Sequence, residues 1–220
     1  MSRPIEDLVI YGMGAVGRMA YQIVRDSSRD EARWNLLGFL DDREVGGWRP
    51  ALGRLGGVEW LADRPTACVV LAVGNPQARA RLSATLARMG HHRFATLIHP
   101  LAWLGERTTI GAGSIIYPGV TVDFDVRIGD HALVNKSTSI GHDAVIGNFV
   151  TIAPGVNVGG GVTLGTGCDI GINSCSLQNV TIGEWTVIGA GAVVLKSLPA
   201  CCTAVGVPAR IISQRVPPEL

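Results

Sequence analysis

The spacing of apolar residues changes once along the chain. In the first hundred residues, short apolar runs alternate with stretches of helical period. Leu8 to Tyr11, Asn35 to Leu40 and Cys68 to Val73 read as buried strands. Between them, about Ala15 to Asp26 and about Gln77 to Met89 read as helices, and Phe94 to His99 reads as a short fourth strand. Strand and helix in alternation predict a parallel βαβ sheet. The stretch from Arg43 to Arg54, rich in Gly, Arg and Trp, reads as an exposed loop. From Leu104 to Pro199 the period becomes six. Sixteen hexads run in phase from LGERTT, IGAGSI and IYPGVT to IGAGAV and VLKSLP. Their first residue is Leu, Ile or Val except at Ser176, and Gly follows it in most. The fifth residue is small, β-branched or aliphatic throughout.

A period of six fits neither an amphipathic helix nor an alternating strand. It is the signature of a parallel β-helix, each hexad being one short strand and one corner. The first and fifth residues should point inward, and glycine in second place suits a tight corner. Three hexads per coil would stack positions 18 residues apart. The chain therefore divides at His99-Pro100: a Rossmann-like α/β domain over residues 1–99, then a β-helix with a C-terminal tail over 100–220. The tail, after Gly206-Val207-Pro208, is expected as a short helix or a loose end.

Charge narrows the partners. The net charge is +1, which offers no electrostatic case for nucleic acid or an anionic membrane. No apolar run approaches the roughly 20 residues of a membrane-spanning helix. MSRPIEDLVIYG has no signal-peptide shape. The five cysteines lack metal spacing and read as reduced thiols, so a cytoplasmic location is expected.

Two places could carry chemistry. Gly12-Met13-Gly14-Ala15-Val16-Gly17 is a G-x-G-x-x-G turn between a strand and a helix, where backbone N–H groups can meet phosphate. Asp41-Asp42 ends the second strand, where an acid commonly meets a ribose or base edge. The same glycines could serve only a tight turn. In the β-helix, His142 falls on an outward position followed by Asp143. One coil on lies Gly160, within Gly159-Gly160-Gly161, and one coil back lies Phe124. An outward imidazole beside a bare glycine surface can reach a substrate as a general base, with the acid orienting it. A surface histidine with an acidic neighbour reads the same way. His131 has no such setting and is expected to be structural or solvent-facing. The β-helix holds two histidines, too few for a three-histidine metal site, and neither CxxC nor HExxH occurs, so no metal is expected. No G-x-S-x-G supports a serine nucleophile.

These pieces together resemble the left-handed β-helix sugar acetyltransferases, specifically the sialic acid O-acetyltransferase-like group. That group includes enzymes that N-acetylate UDP-4-amino-sugars and GDP-perosamine. The resemblance runs from Gly12 to Arg210. It rests on the glycine turn, Gly38-Phe39-Leu40-Asp41-Asp42, Leu97-Ile98-His99-Pro100, Asn135 seven residues before His142-Asp143, Gly171-Ile172-Asn173-Ser174, Gly189-Ala190-Gly191-Ala192 and Gly206-Val207-Pro208-Ala209-Arg210. It implies a left-handed coil, and a homotrimer with active sites between subunits. It implies acetyl-CoA as acyl donor, and a nucleotide-linked amino-sugar of the 4-amino-4,6-dideoxy type as acceptor. On the resemblance, His142 is the catalytic base and Asp143 its acidic neighbour. Asn135 lies beside the sugar. Gly12, Gly14, Gly17, Asp41 and Asp42 hold the nucleotide, without NAD. Thr151, Gly160, Ile172 and Ala190 line the path of acetyl-CoA. The chain departs from the pattern at Thr151, where several relatives carry histidine. O-acetylation of a sialic acid-type sugar, an NAD-dependent oxidoreductase on the glycine motif, and a non-catalytic sugar-nucleotide-binding β-helix remain the alternatives.

Overall fold

A computed structural model describes residues 4–28, 33–43 and 51–219. The N-terminal sheet is built from β1 (Glu6–Tyr11), β2 (Trp34–Leu40), β3 (Arg54–Gly56) and β4 (Cys68–Leu71). All neighbours are parallel, in the order β3-β2-β1-β4. α1 (Ala15–Ser27) follows β1, and α2 (Pro76–Arg88) follows β4. Asn75 starts α2: its side chain accepts the Ala78 N–H at 2.9 Å, and Pro76 takes the first turn, where its missing N–H costs nothing. The apolar runs of β1 and β4 are buried on both faces, as central parallel strands must be.

The fourth strand of this domain differs from expectation. Phe94 to His99 does not extend the N-terminal sheet beyond one bridge from Phe94 to Val69. Its last part, Leu97–Ile98, pairs with Ile115–Ile116 and begins the β-helix. The fourth strand of the sheet is instead β3, drawn from the end of the stretch expected as a loop. Residues 44–50 of that stretch lie outside the described residues.

From Leu97 the chain winds as a triangular prism. The first face stacks Leu97–Ile98, Ile115–Ile116, Leu133–Val134, Thr151–Ile152, Asp169–Ile170 and Val187–Ile188. The second stacks Trp103–Leu104, Thr121–Val122, Ser139–Ile140, Asn157–Val158, Cys175–Ser176 and Val193–Val194. The third runs from Thr109–Ile110 to Thr181–Ile182. Each pairing joins residues 18 apart, as with Ile110, Ile128 and Ile146. The first and fifth hexad residues fill the axis: Val122, Val126, Val150, Ile152, Val162 and Cys168 are all fully buried. Hydroxyls that fall on this axis satisfy themselves locally, Ser114 donating to Gly129 O at 2.8 Å and Thr186 to Pro199 O at 2.8 Å. The tail is neither a helix nor loose. Cys202–Val205 joins the first face, and Arg210–Gln214 turns back antiparallel to it as the edge strand.

One side chain ties the two parts. Arg79, on α2, is 1% exposed. Its guanidinium donates to Val73 O and Gly74 O at the end of β4. It also donates to His131 O, Phe149 O, Val150 O and Thr151 Oγ1 of the β-helix. Burial pushes its pKa down to about 10, so it keeps its charge at neutral pH. Beside it, His131 stacks on Phe149 with ring planes 5° apart and meets Phe94 edge-on. His131 is therefore buried between the two parts. At the junction, His99 accepts the Leu101 N–H on Nδ1 and pairs through Nε2 with Asp26 of α1.

Candidate functional site

The residues singled out by the sequence fall into four places. The first is a cleft of about 560 Å3 at the carboxyl ends of β1, β2 and β4, between the starts of α1 and α2. The strand order reverses here, which is where open parallel sheets take ligands. The three glycines of the turn do different work. Gly12 has φ +112°, and a Cβ on it would sit 2.6 Å from Ala72 O. A Cβ on Gly17 would strike Gly12 O. Both are demanded by packing. Gly14 has nothing within 4 Å, and it caps α1 with no side-chain hydrogen bond. Its missing side chain leaves the cleft open over the N–H groups of the first helical turn, an anion-attracting end.

The two acids are not equivalent. Asp41 is buried, and its carboxylate accepts the Met13 N–H at 3.0 Å and the Arg43 N–H at 3.1 Å. It fixes the glycine turn. Asp42 accepts the Tyr11 hydroxyl at 2.5 Å. Burial, helped by the Asp42 carboxylate, raises the Tyr11 pKa, so the phenol stays protonated. Arg81 and Thr85 of α2 line the opposite wall. Sequence spacing did not bring these two to the cleft, because only the sheet order places α2 against the glycine turn.

The second place is the prism edge between the second and third faces. His142 is the first residue of its corner turn, with a half-exposed side chain. Asp143, in the left-handed region at φ 59°, turns its carboxylate back to His142 Nδ1 at 2.8 Å. A carboxylate only accepts, so Nδ1 carries the proton in the neutral ring and Nε2 keeps its lone pair. Gly160 stacks one coil on, and a Cβ there would lie 2.7 Å from Nε2. The slot in front of the basic nitrogen exists because residue 160 is glycine. The Gly160 N–H meets no acceptor among the described residues. On the other side, the Phe124 ring lies nearly parallel to the imidazole, 14° between planes and 5.6 Å between centroids.

The third place is the edge between the first and second faces, which carries Asn135, Ile172 and Ala190. Asn135 Oδ1 accepts the Lys136 N–H, and Ile172 is exposed. In one chain the whole second face separates this edge from His142. The fourth place holds Thr151 alone. Its hydroxyl donates to Gly74 O at 2.9 Å and accepts from Arg79 at 2.9 Å, so it faces the N-terminal domain on the first face. Among the described residues, no three His, Cys, Asp or Glu side chains gather as a metal site. No described helix is long and apolar enough to cross a membrane.

Comparison with known proteins finds family matches to two parts of this chain. Residues 7–86 match the PglD N-terminal domain, and residues 125–160 match the bacterial transferase hexapeptide of six repeats. The acetyltransferase domain of PglB from Neisseria gonorrhoeae FA1090 superposes with a TM-score of 0.83 at 27% identity, covering 94% of this chain and all of that one. PerB from Caulobacter crescentus, solved with CoA and GDP-perosamine, gives a TM-score of 0.84 at 27% identity, covering 97% of this chain and all of that one. Curated relatives include the serine acetyltransferase of Synechococcus elongatus, 31% identical over 115 residues, or 52% of this chain and 41% of that protein. The chain thus spans about two fifths of that curated relative's length.

Proposed function

We propose that this chain, a hexapeptide-repeat acyltransferase with a PglD-type N-terminal domain, transfers an acetyl group from acetyl-CoA to the amine of a nucleotide-linked amino-sugar. The observation that carries the reading is the His142 site: an imidazole with Nδ1 held by Asp143 and a basic Nε2 facing the slot over Gly160. The same chain carries a nucleotide-sized cleft, and the structural relatives include proteins solved with CoA, acetyl-CoA or GDP-perosamine.

In this mechanism His142 Nε2 takes a proton from the attacking amine. The amine nitrogen forms its bond to the thioester carbonyl carbon. The Gly160 N–H, which meets no acceptor among the described residues, donates to the oxyanion; such a donor is typically worth about 3 kcal/mol. The C–S bond then breaks, and the imidazolium returns the proton to the departing thiolate. Asp143 keeps the tautomer fixed and offsets the imidazolium charge. Gly14 and the α1 N-terminus hold the diphosphate of the acceptor, with Asp42 toward its nucleoside. Asp41 serves this site by fixing the turn.

The two prism edges explain the expected assembly. His142, Asp143 and Gly160 lie on one edge, and Asn135, Ile172 and Ala190 on another. A homotrimer that packs the first edge of one copy against the second of its neighbour completes the site, with Asn135 beside the sugar and Ile172 and Ala190 along the pantetheine. In that arrangement Thr151 is an anchor of the cleft floor: its hydroxyl holds Gly74 O, and its N–H donates to Cys168 O at 2.9 Å within the ladder of the first face.

The likeness to serine acetyltransferases favours a second reading, in which the acceptor is a hydroxyl, since one imidazole serves either nucleophile. The test is acceptor-dependent release of free thiol from acetyl-CoA. The panel holds UDP- and GDP-linked 4-amino-4,6-dideoxy sugars, free sialic acid and L-serine. Release with an amino-sugar nucleotide alone supports the proposal. Release with sialic acid or serine alone moves the activity to O-acetylation, and silence across the panel overturns this substrate class.

A further inference from the structure

We infer that Phe124 is a positioning residue for His142, holding the plane of the imidazole so that Nε2 points into the slot over Gly160. The inference rests on the acyl-transfer reading above for its kinetic consequence, though its geometry stands without it. Phe124 precedes His142 by one coil and occupies the same corner of the prism. The two rings lie 14° from parallel. Asp143 fixes one nitrogen of the imidazole but leaves the ring free to swing about that hydrogen bond. Gly160 bounds the Nε2 end, and a flat group across the ring face removes the remaining freedom.

The Phe124 side chain has no evident task in the core. It is 48% exposed at an outer corner. Its backbone does the structural work: Phe124 O accepts the Asp143 N–H at 3.2 Å, whatever the side chain. The rest of its column consists of Glu106, Gly160, Gln178 and Lys196 beside His142, all polar or glycine. A phenyl ring left in water at one point of a polar column, lying flat on the one histidine with an open slot, is explained by what it does to that ring.

The test compares Phe124→Ala, Phe124→Leu and Phe124→Trp with the unmodified full-length protein. One readout is steady-state kinetics and the other, with no substrate present, is the rate at which diethyl pyrocarbonate modifies His142, followed by mass spectrometry. A ring displaced by a fraction of an ångström in a positioned base predicts a kcat loss of about tenfold in Phe124→Ala. KM for acetyl-CoA should stay within about twofold of the starting value, because the thioester is not held by this side chain. Phe124→Trp should restore kcat and Phe124→Leu should not, since only a flat ring stacks. His142 should react faster with the reagent in the Ala and Leu variants. Unchanged kcat in Phe124→Ala, or a raised acceptor KM at unchanged kcat, overturns the inference. If no acceptor supports turnover at all, the functional reading fails separately. The modification rate then decides: faster in Phe124→Ala upholds the positioning role, and an unchanged rate removes it.

Discussion

Gly160→Ala is the sharpest perturbation the geometry offers. Gly160 does not sit in the left-handed region, so alanine fits the backbone without strain. The added methyl lies 2.7 Å from His142 Nε2, 2.9 Å from Cε1 and 3.1 Å from Cδ2. All three are ring atoms at the end of a half-exposed side chain, so the imidazole gives way and the coil does not. Ordinary carbon–nitrogen contact begins near 3.5 Å, so the ring retreats by close to an ångström, or swings off Asp143. Phe124 blocks the way back. A misplacement of about 1 Å costs on the order of 100-fold in rate, or about 2.7 kcal/mol in the barrier. The assay is kcat for thiol release at saturating acetyl-CoA and acceptor, with thermal unfolding as control. The expected result is a loss between 10- and 100-fold with the melting temperature within about 3 °C of the parent. Full kcat in a folded Gly160→Ala protein refutes the placement of the base in that slot.

Further outcomes follow from the same geometry. Gly14→Ala should fold normally and raise KM for the nucleotide-linked acceptor about tenfold, while Gly17→Ala should fail to yield soluble protein, because its Cβ strikes Gly12 O; expression and kinetics of the pair check both. Arg79→Met removes a donor from five carbonyls and the Thr151 hydroxyl, though Gly74 O keeps the Thr151 hydroxyl and Val150 O the Leu133 N–H, and should cost about 3–5 kcal/mol, read as a fall of roughly 10 °C in melting temperature. Burial lowers the His131 pKa to about 4 from 6.5, so the unfolded chain binds more protons between those values. Stability should therefore fall by up to about 3 kcal/mol as pH drops from 6.5 toward 4, and denaturant midpoints of His131→Phe should lose that slope.

The hexad period made the β-helix legible because every coil repeats the same inward contacts, so sixteen weak signals share one phase. It also made the Phe124, His142 and Gly160 column legible, since an 18-residue coil fixes which residues stack. What failed was structure decided by partners. Phe94 to Ile98 is equally apolar on either sheet, and only the neighbouring Ile115–Ile116 assigns its end to the β-helix. Arg54–Gly56 has no strand pattern of its own and becomes one by pairing with β2. The C-terminal hairpin is exposed on every residue of Arg210–Gln214, so no alternation announces it. Within the cleft, sequence pairs Asp41 with Asp42, yet burial gives one to the glycine turn and the other to Tyr11. The Thr151 hydroxyl bonds Gly74 O and Arg79, contacts 77 and 72 residues away that no local pattern carries.

The most direct measurement is acceptor-dependent thiol release from acetyl-CoA by the unmodified protein beside His142→Ala, with acetyl-CoA binding measured on both. The expected result is turnover with an amino-sugar nucleotide, and a kcat about 100- to 10,000-fold lower in His142→Ala, with acetyl-CoA affinity retained. Turnover in His142→Ala close to that of the unmodified protein would contradict it.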